Sequence, residues 1–284
     1  MKTCRSLWIL VVVVVLGSGC SVKFVYNNAD RFARWGVSDY LNMNEGQRRY
    51  FDTEFAKLHD WHRANHLPRY SDLLEALPAT LADGIDVREM TDLENTMLAW
   101  GEEMEVLGTP MVIGLARSMS DEQVARLPKR LKASNDEIAK PERGESLESS
   151  QERWRDEIED AITRFVGRLS GDQQRYLSSE SVRYIPERML WAEYRGRWQA
   201  DLLALLGERA EEEFAERFTR LAKNREAYYG AELAHVFDHN ETLSKEIAMW
   251  LLNNMTERQR QRLFERLHEL AVDFRELAAE AVPG

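Results

Sequence analysis

Apolar side chains recur every three or four residues along most of this chain, with charged and polar side chains between them. An α-helix that buries one face has this period. Segments that alternate every second residue and the dipeptides of tight hairpins are almost absent, so strands are not expected. The pattern predicts an all-α fold, a multi-helix bundle of antiparallel amphipathic helices. The clearest apolar stripes are Phe51, Phe55 and Leu58; Ile158, Ile162, Phe165 and Leu169; and Leu263, Leu267, Leu270 and Phe274.

A short phrase that occurs four times is expected to mark helix starts. Each copy begins with a large apolar residue, followed by Asn, Ser or Thr and, three residues later, by glutamine. In this arrangement, a capping box, the short side chain accepts a hydrogen bond from the first helical turn and the glutamine reaches back. The copies are unequally spaced, so they do not indicate a repeat array. They are Met43–Gln47, Met119–Gln123, Leu169–Gln173 and Met255–Gln259.

One segment has the composition of a linker or long loop. Residues 141–150 combine proline, glycine, serine and charges with a single large apolar residue, Leu147. This segment would separate an N-terminal helical half, residues 20–140, from a C-terminal half, residues 151–284. Proline lacks an N–H group and crowds the preceding turn, so six prolines are expected to start, kink or end helices. These are Pro68, Pro78, Pro110, Pro128, Pro141 and Pro186.

The first residues have the pattern of an export signal. Ten uninterrupted apolar residues, Leu7–Leu16, follow the positively charged Lys2 and Arg5. A helix that crosses a membrane needs about 20 apolar residues, whereas a run of about 10–14 fits the core of a signal peptide. Residues 1–19 are therefore predicted to be a cleaved signal peptide.

The end of this segment, Leu16-Gly17-Ser18-Gly19-Cys20, resembles the lipobox of bacterial lipoproteins. The resemblance implies that Cys20 is acylated and becomes the first residue of the mature chain, with a covalent lipid such as palmitate and no other cofactor. Where the lipobox usually has Leu, three residues before the cysteine, this chain has Gly17. Ser21 stands in place of the aspartate that retains such proteins at the inner membrane of enteric bacteria. This implies an outer-membrane protein that faces the periplasm.

The start of the predicted mature chain resembles an uncharacterised family of Gram-negative lipoproteins, known only as a domain of unknown function. The resemblance implies the location and a helical architecture, and it implies no activity. The phrases that carry it are Tyr26–Asp30, Asp39–Tyr40, Gln47–Arg48, Trp61–Arg63 and Leu67–Tyr70.

The four helix-start phrases also resemble those of Spy/CpxP-type periplasmic chaperones, although the likeness covers the phrases alone. That group holds unfolded clients on the concave face of a helical cradle. The present chain is longer and net acidic, whereas a basic cradle is usual in the group. By analogy, the predicted function is a non-catalytic binding, adaptor or chaperone-like module.

The net charge of the chain limits the classes of partner that it is expected to bind. The formal net charge is −11, and loss of Lys2 and Arg5 with the signal peptide would change it to −13. Nucleic-acid-binding proteins normally carry a basic surface, so no nucleic-acid partner is expected. Anionic lipid headgroups attract basic segments rather than acidic ones. The expected partners are therefore the membrane, through the lipid anchor, and a protein of the cell envelope.

Two clusters of histidines suggest an alternative function. His62 and His66, like His235 and His239, are four residues apart, a spacing that lets two imidazoles on one helix face share a metal ion. His59 precedes the first pair. The neighbours of the second pair are mostly charged, which favours a solvated face, while the first borders apolar residues, which favours a core edge. The alternative is a metal-binding or metal-sensing lipoprotein.

Catalytic motifs are absent from the predicted mature chain. It has no His-Glu-x-x-His, no phosphate-binding glycine loop and no Gly-x-Ser-x-Gly, so an enzyme is not expected. One aromatic and basic stripe is a candidate surface for a protein partner, because Trp, Tyr and Arg dominate recognition hot spots. Aromatic residues at helical spacing also fit a packed core. The stripe consists of Arg188, Trp191, Tyr194, Arg195 and Trp198.

Overall fold

The structure, a computed structural model, describes residues 22–280. In this range every regular element is a helix, which confirms the predicted all-α fold. The predicted signal peptide and Cys20 lie outside the described residues. The α-helices are α1 (Val22–Asn27), α2 (Ala29–Leu41), α3 (Glu45–Thr80), α4 (Val87–Arg117), α5 (Asp121–Ala139), α6 (Leu147–Val166), α7 (Gly171–Ser181), α8 (Arg188–Gly207), α9 (Phe214–Lys223), α10 (Gly230–Asn253) and α11 (Glu257–Ala279), with two 3-10 helices at Lys140–Glu142 and Arg225–Tyr228.

The apolar stripes predicted from the sequence build the core. The longest helix, α3, packs along α11, and α5 packs along α8. The largest group of buried side chains lies where the end of α3 meets α6, α7, α10 and α11. Among residues 22–280, no helix combines the length and apolar content that crossing a bilayer requires. The stripe residues that face the core are Ile158, Ile162, Phe165, Leu169, Leu263 and Leu267, and Leu270 and Phe274 face the contact between α3 and α11.

All four predicted capping boxes are present. At the start of α3, Asn44 Oδ1 accepts from the N–H of Gln47 at 2.9 Å, and Gln47 Oε1 accepts from the N–H of Asn44 at 3.0 Å. Each such cap contributes about 1 kcal/mol. The other predicted boxes begin α5 at Ser120, α7 at Ser170 and α11 at Thr256, and a fifth box with acidic residues begins α4 at Asp86.

The four cap glutamines also meet in space as two pairs. Gln173 and Gln259 each donate from Nε2 to the Oε1 of the other, at 3.0 and 2.8 Å. The second N–H of Gln173 donates to the carbonyl oxygen of Asn254, and that of Gln259 to the carbonyl oxygen of Arg168, both at 3.0 Å. With the cap bond, each amide makes all four hydrogen bonds available to it. We call this the C-terminal glutamine pair, and it fastens the start of α7 to that of α11.

The N-terminal glutamine pair has the same design. Gln47 and Gln123 exchange two hydrogen bonds at 3.0 and 2.8 Å. Gln47 also donates to the carbonyl oxygen of Ser118, and Gln123 to that of Leu41, both at 2.9 Å. This pair joins the starts of α3 and α5, so each pair closes one junction between helices that are distant in sequence.

The segment predicted as a linker, residues 141–150, is partly helical. It contains the end of the first 3-10 helix and the first turn of α6, which begins at Leu147. Ser146 accepts from the N–H of Ser149 at 3.1 Å, so serines in this segment cap a helix. Helices on the two sides of the segment pack together, since α3 contacts α11 and α5 contacts α8.

Four prolines lie inside helices and do not bound them: Pro68 and Pro78 in α3, Pro110 in α4 and Pro128 in α5. An interior proline costs about 3 kcal/mol or more. At Pro68 the neighbouring His66 and Leu67 are almost completely buried, and packing of this kind offsets the cost.

Candidate functional site

The first histidine cluster lies on α3 where α1 crosses it. The ring of Tyr26 on α1 is 4.4 Å from the ring of His59 and 5.7 Å from that of His62, between centroids. His66 is fully buried, with its ring 5.1 Å from that of His62. The structure therefore brings the three predicted residues together and places them under the first described helix.

His62 and His66 belong to a chain of four hydrogen bonds that runs from α1 to α4. Tyr26 Oη lies 3.0 Å from His62 Nδ1, and His62 Nε2 lies 3.3 Å from Tyr70 Oη. Tyr70 Oη lies 3.2 Å from His66 Nδ1, and His66 Nε2 lies 3.0 Å from Oε2 of Glu103. We call this the tyrosine–histidine chain.

The carboxylate at its end fixes the direction of these bonds. The hydrogen bond with His66 lowers the pKa of Glu103, so Glu103 is a carboxylate that can only accept, and His66 donates to it from Nε2. With neutral rings, His66 Nδ1 then accepts from the hydroxyl of Tyr70. His62 donates from Nε2 to Tyr70 and accepts at Nδ1 from Tyr26. The tautomers are thus assigned from the network.

Burial favours the uncharged forms of His62 and of the two tyrosines. It lowers the pKa of His62 to about 4, with the neighbouring imidazoles acting in the same direction. It raises the pKa of Tyr70 to about 12, and it also raises the pKa of Tyr26. A ring nitrogen that accepts from a phenol cannot also hold a proton. Protonation of His62 at Nδ1 would therefore reverse this bond, with the hydroxyl oxygen of Tyr26 accepting.

We expect the burial of His62 to lower the stability of the protein as the pH falls from about 6.5 to about 4, a contribution that the raised pKa of Glu187 opposes. In the unfolded chain His62 takes up a proton near pH 6.5, whereas in the folded chain it stays neutral down to about pH 4. The unfolded state binds more protons in this window, so the free energy of unfolding falls with the pH. Across the whole window, the lowered pKa of His62 changes the free energy of unfolding by about 3 kcal/mol. Urea unfolding at a series of pH values measures it.

A matched pair of variants isolates this contribution. In His62→Gln, the amide can still bond to both tyrosines and does not titrate, so the loss between pH 6.5 and 4 should shrink. His268→Gln removes an exposed histidine of α11 and should keep the wild-type loss. An unchanged pH dependence in His62→Gln would show that burial of His62 is not the cause.

The predicted metal ligands are bonded to groups of the protein itself. Each ring nitrogen of His62 and His66 has a partner in the tyrosine–histidine chain, and His59 Nε2 lies 3.2 Å from the carbonyl oxygen of Tyr26. Within residues 22–280, no three or more His, Cys, Asp or Glu side chains are arranged to hold a metal ion. Metal binding therefore stays a prediction from the spacing alone.

The second histidine cluster lies on α10. His239 Nε2 is 2.8 Å from the carbonyl oxygen of Arg183, which ties α10 to the end of α7. His235 is exposed one turn earlier. The structure brings neither residue to the first cluster on α3.

The aromatic stripe predicted as a partner surface packs against α9 and α10. Tyr194 is buried with Tyr229, and Trp191 and Trp198 are half-buried against the same group. Trp198 donates from Nε1 to the carbonyl oxygen of Leu221 at 3.1 Å. The aromatic part of the stripe therefore belongs to the core, and its two tryptophans are partly exposed.

The arginines of this stripe bind groups on other helices. Arg188 donates to Glu157 of α6 at 2.9 Å, and Arg195 donates from Nε to Asn135 of α5 at 2.9 Å. Both guanidinium groups therefore connect α8 to its neighbours.

Two carboxyl groups that no sequence pattern indicated lie together before α8. Burial raises the pKa of Glu187 to about 7, and the charge of Glu142 acts in the same direction. Glu142 is itself buried and accepts from the N–H of Met189 at 3.3 Å, while Asn240 of α10 donates to Glu187. Glu187 can therefore exchange a proton near neutral pH.

Several residues that contact the histidines or Glu187 were not predicted from the sequence, and local spacing could have indicated only one of them. Tyr70 follows His66 by four residues, so helical spacing alone could have placed it beside that histidine. Tyr26, Glu103 and Glu142 reach their partners from other helices or segments, and no local spacing predicts such contacts.

A family model described as "Family of unknown function (DUF6279)" matches residues 39–234 of the chain, 196 of 284 residues. No curated protein and no solved structure matches the chain. The match includes the first histidine cluster, the aromatic stripe and four of the five phrases that predicted an uncharacterised family. It confirms that expectation at the level of a family without an assigned function.

Proposed function

This chain belongs to that family of unknown function, and we propose that it is a lipid-anchored outer-membrane lipoprotein that faces the periplasm. In this proposal it is not an enzyme and binds a protein of the cell envelope as an adaptor or chaperone-like module. The observation that carries the proposal is the order of its first residues: a basic start, ten apolar residues, small residues and Cys20.

The position of the first helix supports this proposal. Val22, two residues after Cys20, is 4% exposed and packs in the contact between α3 and α11. Lys23 forms ion pairs with Asp273 and Glu276 of α11. Two extended residues span about 7 Å, so a lipid on Cys20 would hold the helical bundle directly against the bilayer.

The attachment would be stable without a membrane-spanning helix. Each buried methylene contributes about 0.8 kcal/mol, and one acyl chain alone gives only marginal binding. Bacterial lipoproteins of the kind that Cys20 resembles typically carry three chains. A chain anchored in this way needs no basic surface, in accord with the net charge of −11.

The packing of the chain supports binding in preference to chemistry. The tyrosine–histidine chain is saturated by its own hydrogen bonds, and the histidines of α10 belong to no catalytic motif. The phrases that resemble those of Spy/CpxP-type chaperones form the two glutamine pairs, which give the helices a fixed scaffold. These observations favour a binding module.

Cys20→Ala tests the anchor. We expect the wild-type protein to fractionate with outer membranes and the variant to be released as a folded, soluble protein, because the sulfur that carries the lipid is missing. Membrane fractionation measures the location of each protein, and mass spectrometry of the amino terminus measures the lipid. The released variant should still bind, in solution, the envelope protein that crosslinks to the wild type in cells.

The other cysteine of the chain supplies the control. Cys4→Ala changes a cysteine inside the predicted signal peptide and should leave fractionation unchanged. Membrane retention of Cys20→Ala, or an unmodified amino terminus upstream of Cys20, would contradict the anchor. Failure of the released variant to bind the crosslinked protein would contradict the adaptor role.

A further inference from the structure

The outer face of α1 and α2 carries three exposed aromatic side chains. Trp35 is 76% exposed, Phe24 56% and Phe32 51%. The other large apolar side chains exposed within residues 22–280 are valine, leucine and methionine. In the part of the chain that the structure describes, exposed phenylalanine and tryptophan are therefore confined to residues 24–35, and we call this surface the aromatic face.

Other residues of the same helices pack against the bundle. On α1, Val22 packs in the contact between α3 and α11. On α2, Val37 and Leu41 pack against Met43 and Phe51. A helix that borders water has a polar side opposite its buried side, whereas a helix that is apolar around its circumference is covered all round. Among the described residues, the bundle covers Val37 and Leu41 of α2 but leaves the apolar side chains of Phe32 and Trp35 exposed.

We propose that the aromatic face lies in the interfacial layer of the same membrane leaflet that holds the acyl chains of Cys20. This inference rests on the lipid anchor of the proposed function. Phe24 is four residues after Cys20, and two extended residues followed by the first residues of α1 span about 10 Å. The aromatic face begins only four residues after Cys20, so a lipid on Cys20 would place this exposed apolar surface close to the bilayer.

The chemistry of the aromatic face fits an interface between lipid and water. Tryptophan and phenylalanine are favoured at the headgroup level, and helices with such a face lie in the plane of the membrane. Arg31, exposed on the same stretch, can extend its guanidinium toward lipid phosphates. The body of the protein is acidic and gains nothing from anionic headgroups, so apolar contact must supply this attachment.

The contact would fix the orientation of the protein. A lipid on Cys20 alone is a single point about which the bundle can pivot. The 13 residues of α2 extend about 20 Å, so contact along α2 adds a second region of attachment. The bundle would then present the same surface to the periplasm in every molecule.

The chain suits a probe experiment because its only other cysteine, Cys4, is in the predicted signal peptide. The acylated protein with Trp35→Cys is labelled with an environment-sensitive nitrobenzoxadiazole probe and reconstituted into vesicles of phosphatidylethanolamine and phosphatidylglycerol. The probe should shift its emission to the blue and be quenched by nitroxide on the acyl chains. Its quenching by aqueous iodide should fall several-fold relative to the released Cys20→Ala form.

Leu147→Cys is the matched control, because Leu147 is 59% exposed on α6. Its probe should stay accessible to iodide in vesicles. Equal iodide quenching at the two positions in vesicle-bound protein would overturn the aromatic face as a membrane contact. Shielding at position 35 that grows with protein concentration in the Cys20→Ala form, without vesicles, would assign this face to a second copy and also overturn it.

Failure of the anchor itself gives a different result. Protein without an added cysteine should not react with the probe when Cys20 is acylated. Labelling of that protein, or its loss from the vesicles, would contradict the proposed function. A blocked thiol with vesicle-bound protein and an accessible position 35 would contradict the aromatic face alone.

Discussion

Gln259→Glu should lower the free energy of unfolding by about 4 kcal/mol, although the two side chains have nearly the same shape. The substitution removes two donors, which serve Gln173 Oε1 and the carbonyl oxygen of Arg168. The carbonyl oxygen of Arg168 loses this donor, and Gln173 Oε1, which keeps only the N–H of Ser170, then faces a carboxylate oxygen. The loss of a hydrogen bond at a buried polar group costs about 1–3 kcal/mol. Gln259 is only 5% exposed, so water cannot replace the lost bonds.

The bond to the helix start should survive this substitution. A carboxylate oxygen can accept from the N–H of Thr256 as the amide oxygen does at 2.9 Å, and acidic residues suit the first turn of a helix. The expected loss therefore reports the junction between α7 and α11 and not the cap of α11. Urea unfolding followed by circular dichroism in the Cys20→Ala background measures it.

Two comparisons make the result specific. Gln261→Glu, two residues along α11, changes an exposed side chain that donates to Glu265, and we expect it to cost no more than about 0.5 kcal/mol. Acid should reduce the loss in Gln259→Glu, because a protonated carboxyl can again donate to Gln173. Equal losses in the two variants would mean that the C-terminal glutamine pair adds nothing to stability.

The glutamine pairs show how far the sequence predicts this fold. A capping box spans four residues, so the phrases predicted the starts of α3, α5, α7 and α11 correctly. The same glutamines meet partners 76 and 86 residues away. That pairing depends on how the helices pack and leaves no trace in local spacing.

The candidate site was predictable to a similar extent. Spacing placed His62 and His66 on one helix face, but the bonds that orient their rings come partly from α1 and α4. Burial by these neighbours lowers the pKa of His62 more than the adjacent imidazoles do. At Pro68 the helix continues, so packing likewise outweighed the local preference that predicted a helix end.

Lys245→Met should lower the free energy of unfolding by about 3 kcal/mol. Lys245 Nζ on α10 lies 2.8 Å from Oε2 of Glu94 on α4 and 2.7 Å from Oε1 of Glu241. Burial opposes charge on the ammonium, but the hydrogen bonds with the two carboxylates outweigh it and raise the pKa of Lys245. Lys245 is therefore charged at neutral pH and compensates Glu94, which is only 3% exposed.

Removal of the cation takes an ion-pair partner from a buried carboxylate, and breaking a buried pair in this way costs about 3–5 kcal/mol. We expect the lower end because the side chain of Lys245 is 31% exposed, so water can partly replace it. Lys57→Met is the control, since Lys57 pairs with Glu54 on the surface and should change stability by less than about 1 kcal/mol.

A second variant separates lost charge compensation from lost packing. If the uncompensated charge causes the loss, adding Glu94→Gln to Lys245→Met should restore most of it, because a neutral amide replaces the buried carboxylate. If the loss came instead from poorer packing of methionine in place of lysine, the double variant would be no more stable than Lys245→Met. Urea unfolding of the three proteins at neutral pH decides between these causes, because the charge interpretation requires recovery and the packing interpretation excludes it.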